Sequence, residues 1–187
     1  MKSLSILVGA LALALTAEAA PAQAEVVQSS ELGFVTSDST IVKAAPDEVW
    51  DDLVEPSEWW NPDHSYSLDA ENFYLNPYEG GCFCESLPDD GFAEHMRVIH
   101  AVPGKLLRMS GALGPLQSEA ITGTLSIALT PVDGGTKIEW TYVVTGYGRF
   151  PMEAIAPAVD AAQSEQLMRL ARLVDSATPQ VSEQPIP

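Results

Sequence analysis

Residues 136–144, TKIEWTYVV, alternate between two kinds of side chain. Ile138, Trp140, Tyr142 and Val144 fall on one face, and Lys137, Glu139 and Thr141 on the other. A period of two predicts a half-buried strand. Residues 123–131, GTLSIALTP, repeat the pattern, with Leu125, Ile127 and Leu129 opposed to Thr124, Ser126 and Thr130. Between the two runs, residues 132–135 (VDGG) carry a hairpin signal. Further strands are expected at 32–44, 80–87 and 92–102, with a return strand at 105–111 after a Pro-Gly turn at 103–104. Residues 65–75 read as one or two weak strands, and 25–31 as an unstructured lead.

The period changes to 3.6 at two places. Residues 46–54 read as a short helix, with Pro46 at its first position and Asp47 and Glu48 at its positive end. Pro56 opens a second short turn of helix that carries Trp59 and Trp60 and stops at Pro62. Residues 152–175 read as one long helix, with Met152, Ile155, Val159, Ala162, Leu167, Leu170 and Val174 near a helical period. The order is therefore a strand, two short helices, about six more strands and a long helix. Half-buried strands need a cover on their apolar face. The long helix is the element large enough to provide it, so an α+β fold is expected, with a curved antiparallel sheet of about seven strands wrapped on the C-terminal helix.

The stretches STIVKAAPDEVWDDLVEPSEWWNP, YEGGCFCE, VIHAVPGKLLRM and LTPVDGGTKIEWTY, with the final helix, span nearly all of residues 35–175. Together they resemble the START-like helix-grip superfamily (SRPBCC), on the branch of polyketide cyclase/dehydrase-like proteins and activators of the Hsp90 ATPase. That resemblance implies a deep cavity between sheet and helix for apolar or amphipathic ligands. It also places the Trp-Trp-Asn-Pro stretch at one mouth of the grip. Adjacent positions on a helix point about 100° apart. One tryptophan can then plug the core while the other lines the cavity rim; alternatively, both anchor the short helices to the sheet.

Composition changes the picture at the N-terminus. Lys2, the apolar run 4–15 and the small residues Ala22 and Ala24 form the pattern of a secretory signal peptide over residues 1–24. The run is shorter than the about 20 residues of a spanning helix, so no stable membrane anchor is expected. Cleavage near Ala24 would leave a periplasmic or secreted domain over 25–176 and a disordered Pro-rich tail over 177–187. The formal net charge is −17, from 26 acids and 9 bases. Phosphate backbones are repelled by such a chain, and nucleic acid is excluded as a partner. A protein partner is left open, and no cofactor is expected.

Cys82 and Cys84 are the only cysteines. In a flat strand, positions i and i+2 lie about 6.6 Å apart on one face, whereas a disulfide brings Cβ atoms to about 3.5–4.5 Å. Free thiols, a Cys82–Cys84 disulfide across a kink, and a metal or redox site are the three readings. The metal reading would need His64, His95 or His100. His95 and His100 are five apart on one strand and face opposite sides, so no metal site is assigned. The chain has no Gly-x-Ser-x-Gly, no His-Glu-x-x-His and no phosphate loop.

These residues support three functional readings. The first is an exported protein that binds a small hydrophobic ligand, lined by Trp60, Phe83, Met109, Trp140, Tyr142 and Leu167, with Tyr142 orienting a polar end. The second is a cyclase- or dehydratase-type enzyme using His100 and Tyr142, with Arg108 as a further polar candidate; His100 is expected inward with Met96 and Val98. The third is a partner-binding module with a filled core.

Overall fold

A computed structural model describes residues 25–177. Strands β1 (Glu25–Ser30) and β2 (Gly33–Val42) lead into helix α1 (Pro46–Leu53). Single 3-10 turns follow at Pro56–Glu58, Pro62–His64 and Ala70–Asn72. Then come β3 (Phe73–Leu75), β4 (Cys82–Leu87), β5 (Gly91–Val102) and β6 (Leu106–Gly111). A further 3-10 turn at Gly114–Ser118 precedes β7 (Ala120–Val132), β8 (Gly135–Tyr147) and helix α2 (Met152–Ala177). The strands form one antiparallel sheet in the order β1-β2-β8-β7-β6-β5-β4-β3.

Among the described residues the sheet has eight strands, one more than the pattern of side chains indicates. Residues 25–30, expected to lack structure, hydrogen-bond to β2 as the edge strand β1. This strand has little apolar alternation, because residues 27–30 are exposed and its pairing rests on backbone groups. The second short helix is only a 3-10 turn ending at Glu58, and Pro62 opens another turn rather than closing the first. Within 65–75, only residues 73–75 pair as a strand. The targeting segment 1–24 and residues 178–187 of the tail lie outside the described residues, and α2 extends to Ala177.

Local chemistry explains the elements that matter here. α1 begins at Pro46, and the Glu48 carboxylate accepts the Ala45 N–H at 2.8 Å, closing the first turn. β7 and β8 pair along their whole length, and Ile138, Trp140, Tyr142 and Val144 are all buried as the alternation requires. The Tyr142 ring lies over Gly123, where a Cβ would come within 2.4 Å of it.

Helix α2 packs on β2, β1 and α1. Its C-terminal half is fully engaged, with Leu167, Leu170, Ala171 and Val174 buried. Its N-terminal half keeps the same face packed, with Met152, Ala156, Asp160 and Gln163 buried, but Ile155, Val159 and Ala162, on the neighbouring face, are only half-buried. The helix is therefore gripped along its length, with one flank of its N-terminal half left open. Among the described residues, no helix is long and apolar enough to cross a membrane.

Candidate functional site

The space left beneath the N-terminal half of α2 is an open cavity of about 590 Å³. Ile155, Ala158, Val159 and Ala162 of α2 form one wall. Leu113–Pro115 and Ser118 form the opposite rim, and Trp60 and residues 63–66 close the end. His95, Gln163 and Gln166 supply polar groups at its border.

The Trp59-Trp60 pair divides its work. Both side chains are buried. The Trp59 indole N–H donates to the Asp52 carbonyl at 3.0 Å, and its ring meets Trp140 edge-on at 6.0 Å. Trp60 donates to the His64 carbonyl at 3.0 Å, packs on Phe83 at 4.9 Å and borders the cavity. The loop after them is tied to α2 by four groups. Arg169 donates to the Trp59 and Trp60 carbonyls. The Asn61 N–H donates to Gln166 Oε1 at 2.9 Å, its side-chain amide donates to Glu165 at 2.5 Å, and His64 pairs with Glu165 at 3.1 Å. Burial pushes the Glu165 carboxyl up, but hydrogen bonds from His64 and Asn61 outweigh it and leave it below its ordinary value.

The polar centre is a pair that sequence reasoning did not combine. Glu85 Oε2 lies 2.9 Å from His95 Nε2, with Glu85 0% and His95 4% exposed. Glu85 is inward by simple alternation with Phe83 on β4. His95 is inward because it is an extra residue. Phe83 pairs with Met96 and Cys84 with Glu94, so His95 bulges out of the register and turns into the interior beside Met96. Rings surround the imidazole, with Tyr66 and Phe73 stacked on it at 5.6 and 5.1 Å and Phe83 tilted at 5.3 Å.

The electrostatics fix the protons. Burial pushes the Glu85 carboxyl up, but the Ser67 side chain favours its charged form, the Tyr66 and Ser67 amides and His95 bond to it, and the balance lies below its ordinary value. Burial lowers His95 and Glu85 only partly restores it, so the imidazole is held neutral beside a carboxylate. The shared proton then sits on Nε2. Nδ1 is left as an acceptor, and no hydrogen bond reaches it among the described residues.

His100 is not part of this site. A second bulge, at Ile99, pairs Val98 with Met109 and His100 with Arg108, which reverses the alternation and turns His100 outward to an exposed position. Arg108 faces the same side, its Nε donating to Ser126 Oγ at 2.9 Å. Tyr142 is buried away from the cavity, and its hydroxyl is fully engaged. It donates to the Gly111 carbonyl and accepts the Leu113 N–H, each at 3.2 Å. Burial pushes it up to about 12, with the Leu113 amide pulling the other way, so it holds its proton at neutral pH.

Of the six expected lining residues, Trp60 alone borders the large cavity. Phe83, Met109 and Trp140 meet around a gap of about 10 Å³, too small for a ligand. Tyr142 and Leu167 border neither space. Trp140 also donates to Gln163 Oε1 at 2.6 Å, joining sheet to helix. The missed polar residues were partly visible. Glu85 shares parity with Phe83, and Gln163 and Gln166 continue the helical stripe from Val159 and Ala162.

Cys82 and Cys84 form a disulfide with Cα atoms 5.5 Å apart, so the free-thiol reading does not describe this structure. The Cα separation is shorter than the about 6.6 Å of positions i and i+2 in a flat strand, the departure that the bridge needs. Glu94 lies with the two sulfurs within 4.8 Å, but bonded sulfurs are not thiolates, and the trio is not a ligand set in this state.

A long helix held by a curved antiparallel sheet, with a cavity under one end of the helix, defines the helix-grip class. The chain belongs to the family described as polyketide cyclase / dehydrase and lipid transport, whose pattern matches residues 34–175. It is therefore a ligand-binding or cyclase-type helix-grip domain of the SRPBCC superfamily.

A Mesorhizobium loti protein of similar fold is 17% identical, with TM-score 0.57, covering 78% of this chain and 99% of its own. The di-domain ARO/CYC StfQ from the steffimycin biosynthetic pathway is 14% identical, with TM-score 0.54, covering 78% of this chain and 52% of its own. Ara h 8.0201 is 12% identical, with TM-score 0.53, covering 76% and 97%. At these identities the likeness is one of fold. No curated protein matches the chain.

Proposed function

We propose that this protein binds a small apolar or amphipathic ligand in the cavity beneath the N-terminal half of α2, without transforming it. The observation that carries the reading is an apolar flank of α2 that nothing covers. Beside the packed face of Ala156, Leu167 and Leu170, the side chains of Ile155, Val159 and Ala162 border open space. Burying an apolar ligand on such a wall contributes about 25 cal/mol per Å². The cavity volume of about 590 Å³ suits a molecule of lipid or small polycyclic size.

We also infer that the chain acts after export, cleaved after Ala24. The charged start, apolar run and Ala22-Gln23-Ala24 pattern support this, and a Cys82–Cys84 disulfide suits an oxidising compartment. Native mass spectrometry of the exported protein tests both points. A mature chain starting at Glu25 with a co-purifying apolar molecule is expected. A chain retaining Met1, with no ligand at any concentration of candidate lipids, contradicts the reading.

A second reading, a cyclase- or dehydratase-type enzyme, draws on the Glu85–His95 pair, because an oriented neutral imidazole beside a cavity is a general base. Conversion of a co-purified ligand on incubation would favour it.

A further inference from the structure

We propose that the ligand is electrically neutral and carries a hydroxyl group, which docks on the nitrogen edge of His95 and the side-chain amide of Gln166. This rests on the ligand-binding reading above and goes further by assigning the chemistry of the polar end.

Gln166 is 1% exposed and borders the cavity. Its Oε1 accepts the Asn61 N–H, which fixes the orientation of the amide, and its buried Nε2 has no partner among the described residues. A buried donor without a partner carries a desolvation cost that a ligand acceptor removes. His95 offers the complement. Its Nε2–H is committed to Glu85, Tyr66 and Phe73 stack on its ring, and what remains for a ligand is Nδ1, an acceptor. A hydroxyl is the small group that both donates and accepts, so it complements a cavity that offers one donor and one acceptor.

Charge excludes the common alternative. Among the described residues no Lys or Arg borders the cavity, while Asp63 does; the bordering His64 is paired with Glu165, and Glu85 lies directly behind His95. Arg169 is committed to the Trp59 and Trp60 carbonyls. A carboxylate or phosphate headgroup would be desolvated beside acids without a counter-ion, which is strongly unfavourable.

The test is competition for a neutral naphthylamine probe in the wild-type protein by three ligands with one decyl chain: decanol, decyl methyl ether and decanoate. The measurement is made above the pKa of the acid. Decanol is expected to compete about tenfold better than the ether, which keeps an acceptor for Gln166 but loses the donor for His95. Decanoate is expected to be weaker than both. In His95→Phe, which keeps an aromatic ring in the stack, the advantage of decanol over the ether should vanish. Equal competition by decanol and ether in the wild type, or decanoate as good as decanol, overturns the proposal while leaving apolar binding intact. A probe that does not bind at all overturns both.

Discussion

His95 Nε2 lies 2.9 Å from Glu85 Oε2, and both side chains are buried, His95 with its ring at the border of the cavity. The two residues sit on adjacent strands, and a one-residue bulge is what brings them together. Because both groups are held below their ordinary values, the folded protein binds fewer protons than the unfolded chain over part of the acid range. Stability therefore rises with pH there. The His95 contribution is complete above the unfolded value of 6.5 and is lost as pH falls toward the folded one. The Glu85 contribution follows the same course below 4.5. The urea midpoint of the wild type should fall more steeply than that of His95→Gln between neutral pH and about pH 5. Parallel profiles would contradict the assignment.

Tyr142 joins β8 to the rim of the cavity through Gly111 and Leu113. Tyr142→Phe keeps the ring over Gly123 and removes both bonds, leaving the buried Leu113 amide without its acceptor. A loss of about 1–2 kcal/mol is expected in equilibrium unfolding. A neutral substitution would mean that the hydroxyl holds nothing in place.

The two halves of α2 should respond differently to truncation. Leu167→Ala opens a void in a filled core and should cost about 2–5 kcal/mol. Val159 already borders open space, so Val159→Ala should cost no more than about 1 kcal/mol, because fewer contacts are lost. Urea midpoints of the two variants check this, and equal costs would mean that the cavity is closed in solution.

The regular parts of the fold were legible because their side-chain period is unbroken. β7, β8 and the stripe of α2 each repeat long enough to fix a face. β1 was not, because an edge strand with exposed side chains pairs through backbone groups that leave no apolar period. The polar border of the cavity was hard to read for a related reason. Alternation predicts faces only while the register holds, and β5 breaks it at His95 and again at Ile99, turning His95 in and His100 out. The cavity was displaced because Ile155 and Val159 read the same whether they meet a sheet or empty space. What lies opposite a helix is a property of the assembled fold.

The Cys82–Cys84 bridge closes a very short loop, and the unfolded-chain entropy it removes is correspondingly small. Changing both residues to Ser should cost about 1–2 kcal/mol, against about 3 kcal/mol for a 15-residue loop. Urea denaturation of the variant, compared with the wild type with and without reductant, reads this directly. A loss of about 4 kcal/mol or more would assign the bridge a larger structural role.

The central claim is that the space beneath Ile155, Val159 and Ala162 is a binding site. Titration of a neutral naphthylamine probe into the wild type and into Ala162→Trp, which fills that space from the helix side, tests it most directly. One saturable site in the wild type, lost in Ala162→Trp while the urea midpoint is retained, is the predicted result. Saturable binding that survives the substitution unchanged, or no saturable binding by the wild type, would contradict it.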